Sequence, residues 1–146
     1  QQIVEAVGDS KKVELCGQVS RQNIIEEITN CDIVVMPSLW EGLSIFMLEA
    51  MALGRPMMIS NVPSLRDVFG EKPLKNGENW RLCSWGYLVE TSNVNAYNEA
   101  MNHFLKHQNL SAKMQMEIEK YSTLYSIEET AKSYMKVYMR CLQQEN

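Results

Sequence analysis

Two glutamates, Glu41 and Glu49, stand eight positions apart in the stretch "PSLWEGLSIFMLEAMALGRP", residues 37–56. Gly42 follows the first of them and permits a tight turn, after which the run from Leu43 to Leu53 is apolar except for Ser44 and Glu49. A helix starting near Leu43 or Ser44 would gather Ile45, Leu48, Ala52 and Leu53 into one stripe, with Glu49 inside it. The remaining face, Met47, Ala50 and Met51, is apolar as well, so the helix reads as covered all round. A buried carboxylate without donors costs several kcal/mol. Its donor is therefore either in the protein, where Arg55, Arg66 or a backbone amide are candidates, or in a ligand. A carboxylate accepts well from a pair of hydroxyls such as those of a ribose. The first amides of the same helix have no partners within it, and with the positive end of the helix dipole they favour an anion such as phosphate. Glu41, in the preceding turn, would face Glu49 across that anion. Diphosphate between, with ribose on one side, is the layout of a sugar nucleotide.

Other chemistry-bearing residues read as structural. Cys16, Cys31, Cys83 and Cys141 are scattered without a C-x-x-C pair, and are expected to be reduced core thiols, which favours a cytoplasmic setting. His103 and His107 share a helix face but have no further ligands near them in sequence, so they read as surface residues and no metal site is expected. Trp80 and Arg81 lie in a stretch rich in turn signals, "GEKPLKNGENWRLCSW", read as a long loop with these two packed on its surface.

The elements that must position the glutamates follow from hydrophobic patterning. Strands are expected around Val13 to Cys16, from Asp32 to Met36, in "RPMMISN", and from Gly86 to Glu90. Helices alternate with them: one capped by Ser20 with Ile24, Ile25 and Ile28 on one face, the glutamate-bearing helix ending at Gly54, and a short one opened by Pro63. The rest is helical. Val94, Tyr97, Met101, Phe104 and Leu105 make one face, a polar helix covers about residues 111–120, and a last helix starts at Ser126 and Glu129 with capping-box spacing. The apolar face of that last helix is Ile127, Ala131, Tyr134, Met135, Tyr138 and Leu142. At the other end Ile3, Val4 and Val7 have helical spacing. This order predicts an α/β, Rossmann-like domain with a mainly parallel sheet and flanking helices, which binds ligands at the carboxyl ends of its strands. A net charge of −4 with no basic block argues against nucleic acid as a partner, and no apolar run is long enough to span a bilayer.

In this frame "DIVVMPSLWEGLSIFMLEAMALGRPMMISNVPSLRDV" resembles the signature of retaining GT-B glycosyltransferases of the group 1 type, whose mark is E-x₇-E after a strand ending in P-S. "VELCGQVS", "GYLVE" and "YSIEETAKSYMKVYMRCL" resemble the family's neighbouring strands and its long terminal helix. The resemblance implies that the chain, residues 1–146, is part of the C-terminal, donor-binding half of a GT-B fold, with the first strands of that half and an N-terminal acceptor domain missing. Glu41 would be the catalytic carboxylate beside the donor sugar. The amides of Gly42, Leu43 and Ser44 would hold the diphosphate, Glu49 the ribose, and Gly17 and Val19 the base. The donor would be a nucleotide-diphosphate sugar, with UDP or GDP expected, and no cofactor or metal beyond it. The acceptor would be a glycan or lipid-linked sugar, the parent peripheral to a membrane, the setting polysaccharide biosynthesis, and the piece alone inactive. Rival readings are a nucleotide-sugar epimerase of the same fold, against which E-x₇-E with "EGLS" argues, or a non-catalytic nucleotide-binding or interaction domain.

Overall fold

The structure, a computed structural model, describes residues 12–107 and 109–144; the helical spacing of Ile3, Val4 and Val7 lies outside them. In chain order the elements are α1 (Arg21–Asn30), β1 (Val34–Met36), α2 (Ile45–Ala52), β2 (Met57–Ser60) and α3 (Pro63–Phe69). They continue with β3 (Trp80–Cys83), β4 (Gly86–Val89), α4 (Val94–Lys106), α5 (Asn109–Ser122), a 3₁₀ turn (Thr123–Tyr125) and α6 (Ile127–Gln144). The strands form one sheet in the order β1-β2-β4-β3, parallel except for β3, which runs antiparallel to β4. The expected α/β architecture is therefore present.

Burial on both faces explains the continuous apolar strands. Every residue of β2 and β4 is buried. Their alternate side chains feed two cores. Met57, Ile59 and Leu88 face a cluster with Met47, Met51, Leu65, Phe69 and Trp85. Met58, Tyr87 and Val89 face Ala96, Ala100, Phe104 and Met114. At Gly86 the two central strands leave no room for a side chain: a Cβ there would lie 1.9 Å from the Met57 carbonyl oxygen.

Four expectations are corrected. Val13 to Cys16 form no strand: the segment has no ladder partner among the described residues, and Val13 and Leu15 are exposed. A strand is stable only with a ladder to join. The stretch read as one long loop contains β3, whose Trp80 and Arg81 pair with Val89 and Leu88. On α4 Phe104 is buried and Tyr97 and Met101 pack against the core as expected, but the stripe is completed by Ala96 and Ala100, while Val94 and Leu105 at the helix ends are exposed. The two alanines are small enough to let the helix lie close to the sheet. Finally, only Cys83 of the four cysteines is buried; Cys16 and Cys141 are exposed and Cys31 half-buried, all as free thiols. Burial pushes the Cys83 thiol up to about 12 and raises that of Cys31. Both are poor nucleophiles.

Candidate functional site

The loops that leave β1, β2 and β4 meet at the carboxyl edge of the sheet and are tied together there. The Ser64 hydroxyl, at the start of α3, donates to the Glu41 carbonyl (2.6 Å). Asn61, just past β2, donates to the Glu90 carboxylate (3.2 Å) and receives Arg66 on its own carbonyl and side-chain oxygens. Beneath them the buried Ser60 hydroxyl binds the Met36 carbonyl and the Tyr97 hydroxyl, joining β1, β2 and α4.

Within this frame the β1–α2 connection makes a helix start facing the edge. Ser44 is its N-cap, and its hydroxyl accepts from the Met47 amide at 3.2 Å. Gly42 is exposed, and a Cβ added there would meet nothing within 4 Å. Its backbone is thus open to close approach from outside. Glu41 is half-buried; its carboxylate receives only the Ser38 hydroxyl, at 3.4 Å, and among the described residues it makes no ion pair. Around it Leu39, Trp40, Leu43 and Ile45 are exposed, an apolar rim that sequence patterning had not singled out.

Glu49 lies five residues beyond the cap, about 7.5 Å further along the helix axis at 1.5 Å per residue. Its expected setting is corrected in two respects. The buried face of α2 is Met47, Ala50 and Met51, whereas Ile45 and Ala52 are exposed, so Glu49 sits on a half-open flank, not inside a covered stripe. A protein donor is also present. Arg21, the first residue of α1, reaches Glu49 Oε1 with Nε at 3.1 Å and with a terminal guanidinium nitrogen at 3.0 Å. Arg55 turns to the Cys31 carbonyl, and Arg66 to Asn61. Arg21 escaped the sequence reading because it is 28 residues from Glu49 and carries no periodic signal.

The approach to α1 passes the same flank. Gly17 holds a left-handed φ of 62°, and Val19 lines an apolar cleft of about 340 Å³ with Ile24, Val35 and Phe46 of α2. Helix α2 thus stands with Glu41 before its start and with Val19, Arg21 and Glu49 along one side. Elsewhere His103 is half-buried against Trp80 and Tyr87, whose hydroxyl is 3.0 Å from its Nδ1, and His107 stacks on it at 4.1 Å. Trp80 and Arg81 are packing residues too, the latter paired with Glu78 and Glu71. Among the described residues no cluster of three His, Cys, Asp or Glu is placed to hold a metal, and no helix is long and apolar enough to cross a membrane.

Comparison with known proteins bears on this arrangement. The sequence profile described as "Glycosyl transferases group 1" matches residues 1–121. N,N'-diacetylbacillosaminyl-diphospho-undecaprenol alpha-1,3-N-acetylgalactosaminyltransferase of Campylobacter jejuni is 25% identical over 123 residues, 84% of this chain and 30% of that protein. D-inositol 3-phosphate glycosyltransferase of Corynebacterium urealyticum is 24% identical over 138 residues, 94% of this chain and 30% of its own length. The chain thus spans less than a third of the curated relatives it matches. Among solved structures, sucrose-phosphate synthase of Thermosynechococcus elongatus superposes on 98% of the chain with a TM-score of 0.75 at 19% identity, over 33% of its own chain. The C-terminal domain of a group 1 glycosyl transferase from Francisella tularensis covers 85% with a TM-score of 0.62 at 22% identity, over 58% of its chain. The fold is therefore that of the C-terminal domain of GT-B glycosyltransferases.

Proposed function

Because this chain belongs to the glycosyl transferases group 1 family, we propose that it is the donor-binding part of an enzyme that transfers a sugar from a nucleotide-diphosphate sugar to a glycan or lipid-linked acceptor. The observation that carries the reading is the start of α2, open at Gly42 and flanked by Glu41 and Glu49 at the carboxyl edge of a parallel sheet. The amides of Gly42, Leu43 and Ser44 bind the diphosphate, where the helix dipole favours negative charge. In the reaction the bond between the sugar's anomeric carbon and the diphosphate oxygen breaks, the acceptor hydroxyl's oxygen bonds to the same carbon on the same face, and its proton passes to the departing diphosphate, giving retention. Charge then develops on the leaving diphosphate, and fixed dipoles aimed at it lower the barrier without reorganising. Glu41 holds the donor sugar's hydroxyls near the reacting carbon, and Glu49 accepts from the ribose. Gly17 and Val19 pass by the base, which is that of UDP or GDP. The Campylobacter jejuni relative is named for an undecaprenol-linked substrate, which supports a lipid-linked acceptor; the enzyme itself is read as cytoplasmic and working at a membrane face.

The test is calorimetric titration of UDP, GDP and ADP into the intact protein and into its Glu49→Gln variant. One nucleotide should bind, and the variant should lose most of that binding while its melting temperature holds. If the folded protein binds none of the three, or if Glu49→Gln lowers stability alone, the nucleotide reading is wrong and Glu49 is a structural residue. With the donor known, Glu41→Gln should lower the transfer rate about a hundredfold or more while nucleotide binding changes little.

A further inference from the structure

The Arg21–Glu49 pair is built in a way that a simple clip between two helices does not require. Both guanidinium contacts, from Nε and from a terminal nitrogen, fall on Oε1 of the carboxylate. A pair serving only to join α1 and α2 would gain most from the bidentate arrangement, in which two parallel N–H groups engage both oxygens. Here Oε2 is left without a protein donor among the described residues. The Arg21 side chain is 78% exposed, against 22% for Glu49. Ion pairs so open to water contribute little to stability. Arg21 is nevertheless well placed. It is the first residue after the Ser20 cap, whose hydroxyl accepts from the Asn23 amide, so the backbone that carries it is fixed. The two side chains border a small cleft of about 170 Å³, completed by Ile25, Ala52 and Leu53. Gly17 and Val19, on the approach to α1, come from the same segment as Arg21.

We infer that Arg21 is a positioning residue for nucleotide recognition. It holds one oxygen of Glu49, fixes the rotamer of a carboxylate on a half-open helix flank, and so turns Oε2 to accept from the ribose hydroxyls. The inference rests on the ribose role proposed for Glu49. Arg21 does not touch the reacting atoms and makes no direct call on the diphosphate; its effect runs through the orientation of Glu49. Without it the carboxylate samples several rotamers, and the entropy of fixing one of them falls on the binding step. Ground state and transition state carry the same ribose, so the loss is one of uniform binding: KM for the donor rises and kcat does not change.

The experiment compares Arg21→Ala, Arg21→Lys and Glu49→Gln in the intact protein. For each, the dissociation constant is measured for the nucleoside diphosphate that binds, and for its 2′-deoxy and 3′-deoxy forms. Arg21→Ala should weaken the ribonucleotide about threefold to tenfold, the worth of one ordinary hydrogen bond. It should narrow the gap between ribo and deoxy forms by a similar factor and leave the melting temperature within a degree or two. Arg21→Lys, which keeps a cation near Oε1, should recover part of the discrimination. A clip between helices would do the opposite, lowering the melting temperature and leaving the ribo/deoxy ratio unchanged. The inference is overturned if Glu49→Gln abolishes discrimination while Arg21→Ala leaves it intact. If Glu49→Gln itself leaves binding and discrimination untouched, the ribose role fails first, and the inference with it.

Discussion

Single residues in this site do two jobs, and the jobs can be separated. Ser44 caps α2 with its side chain, and its backbone amide is one of the groups proposed to hold the diphosphate. Ser44→Ala should therefore cost about 1 kcal/mol in denaturant unfolding, the usual worth of an N-cap, while nucleotide affinity stays within twofold. A larger loss of affinity would mean that the hydroxyl itself meets the ligand. His103 gives a pH-dependent counterpart away from the site. Burial first, and the nearby His107 second, hold its imidazole below the usual value near 6.5. The folded state thus takes up a proton less readily than the unfolded chain. The stabilisation from neutral His103 is complete above about pH 6.5 and is lost as pH falls through the lower folded value. His103→Gln should flatten the fall in melting temperature between roughly pH 7 and 5; an unchanged slope would assign that fall to the carboxylates. At this scale the sequence was legible where the signal is local, as with Ser44 or Ser126, whose hydroxyl accepts from the Glu129 amide. It was silent on Arg21, because nothing in a side chain's neighbours along the chain says which residue 28 positions away will meet it in space.

Elements were legible in proportion to their burial. Strands β1, β2 and β4 and helices α1, α2 and α3 announce themselves through continuous apolar runs, cap residues and Pro63, because each is bounded by chemistry that acts within a turn. Strand β3 did not. It is an edge strand with a broken burial pattern, and Arg81, which reads as a loop residue, pairs with Glu78 in the adjoining turn and holds that carboxyl down to about 2. The Val13 to Cys16 segment is the converse case, apolar enough for a strand but with no ladder to join among the described residues. Periodicity alone made α2 covered all round, since an all-apolar helix leaves it no contrast with which to tell the buried face, Met47, Ala50 and Met51, from the exposed Ile45 and Ala52. Where the packing leaves no room the prediction is sharp. At Gly86 an added methyl would strike the Met57 carbonyl and the Phe69 ring, 1.9 and 2.9 Å away, and both belong to fully buried neighbours. Gly86→Ala should force β2 and β4 apart and cost about 3 kcal/mol or more, read as a shift of the urea midpoint without a change of slope. A cost below 1 kcal/mol would mean the strands can separate at this point with little loss of packing.

At the scale of the whole chain, two surfaces lack cover among the described residues. One is the outer edge of β1, where Val35 is exposed beside the apolar cleft lined by Val19, Ile24 and Phe46. The other is α6. Its apolar face is the one the sequence predicts, yet Ile127, Tyr134, Met135, Tyr138 and Leu142 are all more than half exposed, and its main packing partner is the short 3₁₀ turn before it. Lys132, Lys136 and Arg140 lie on the opposite side, so α6 is amphipathic without a partner for its apolar half. Contiguous exposed apolar surface and an unpaired strand edge both favour association between molecules. The 146-residue chain on its own should therefore show a mass that rises with concentration in sedimentation equilibrium. Because Met135 and Tyr138 support no core, replacing both with Glu should lower that association while leaving the melting temperature within a degree or two. Val35→Lys, on the strand edge, provides the comparison. If it suppresses association and the α6 double variant does not, the strand edge is the adhesive surface. If the chain stays monomeric at every concentration, neither surface is adhesive, and the exposed face of α6 is tolerated in water as it stands.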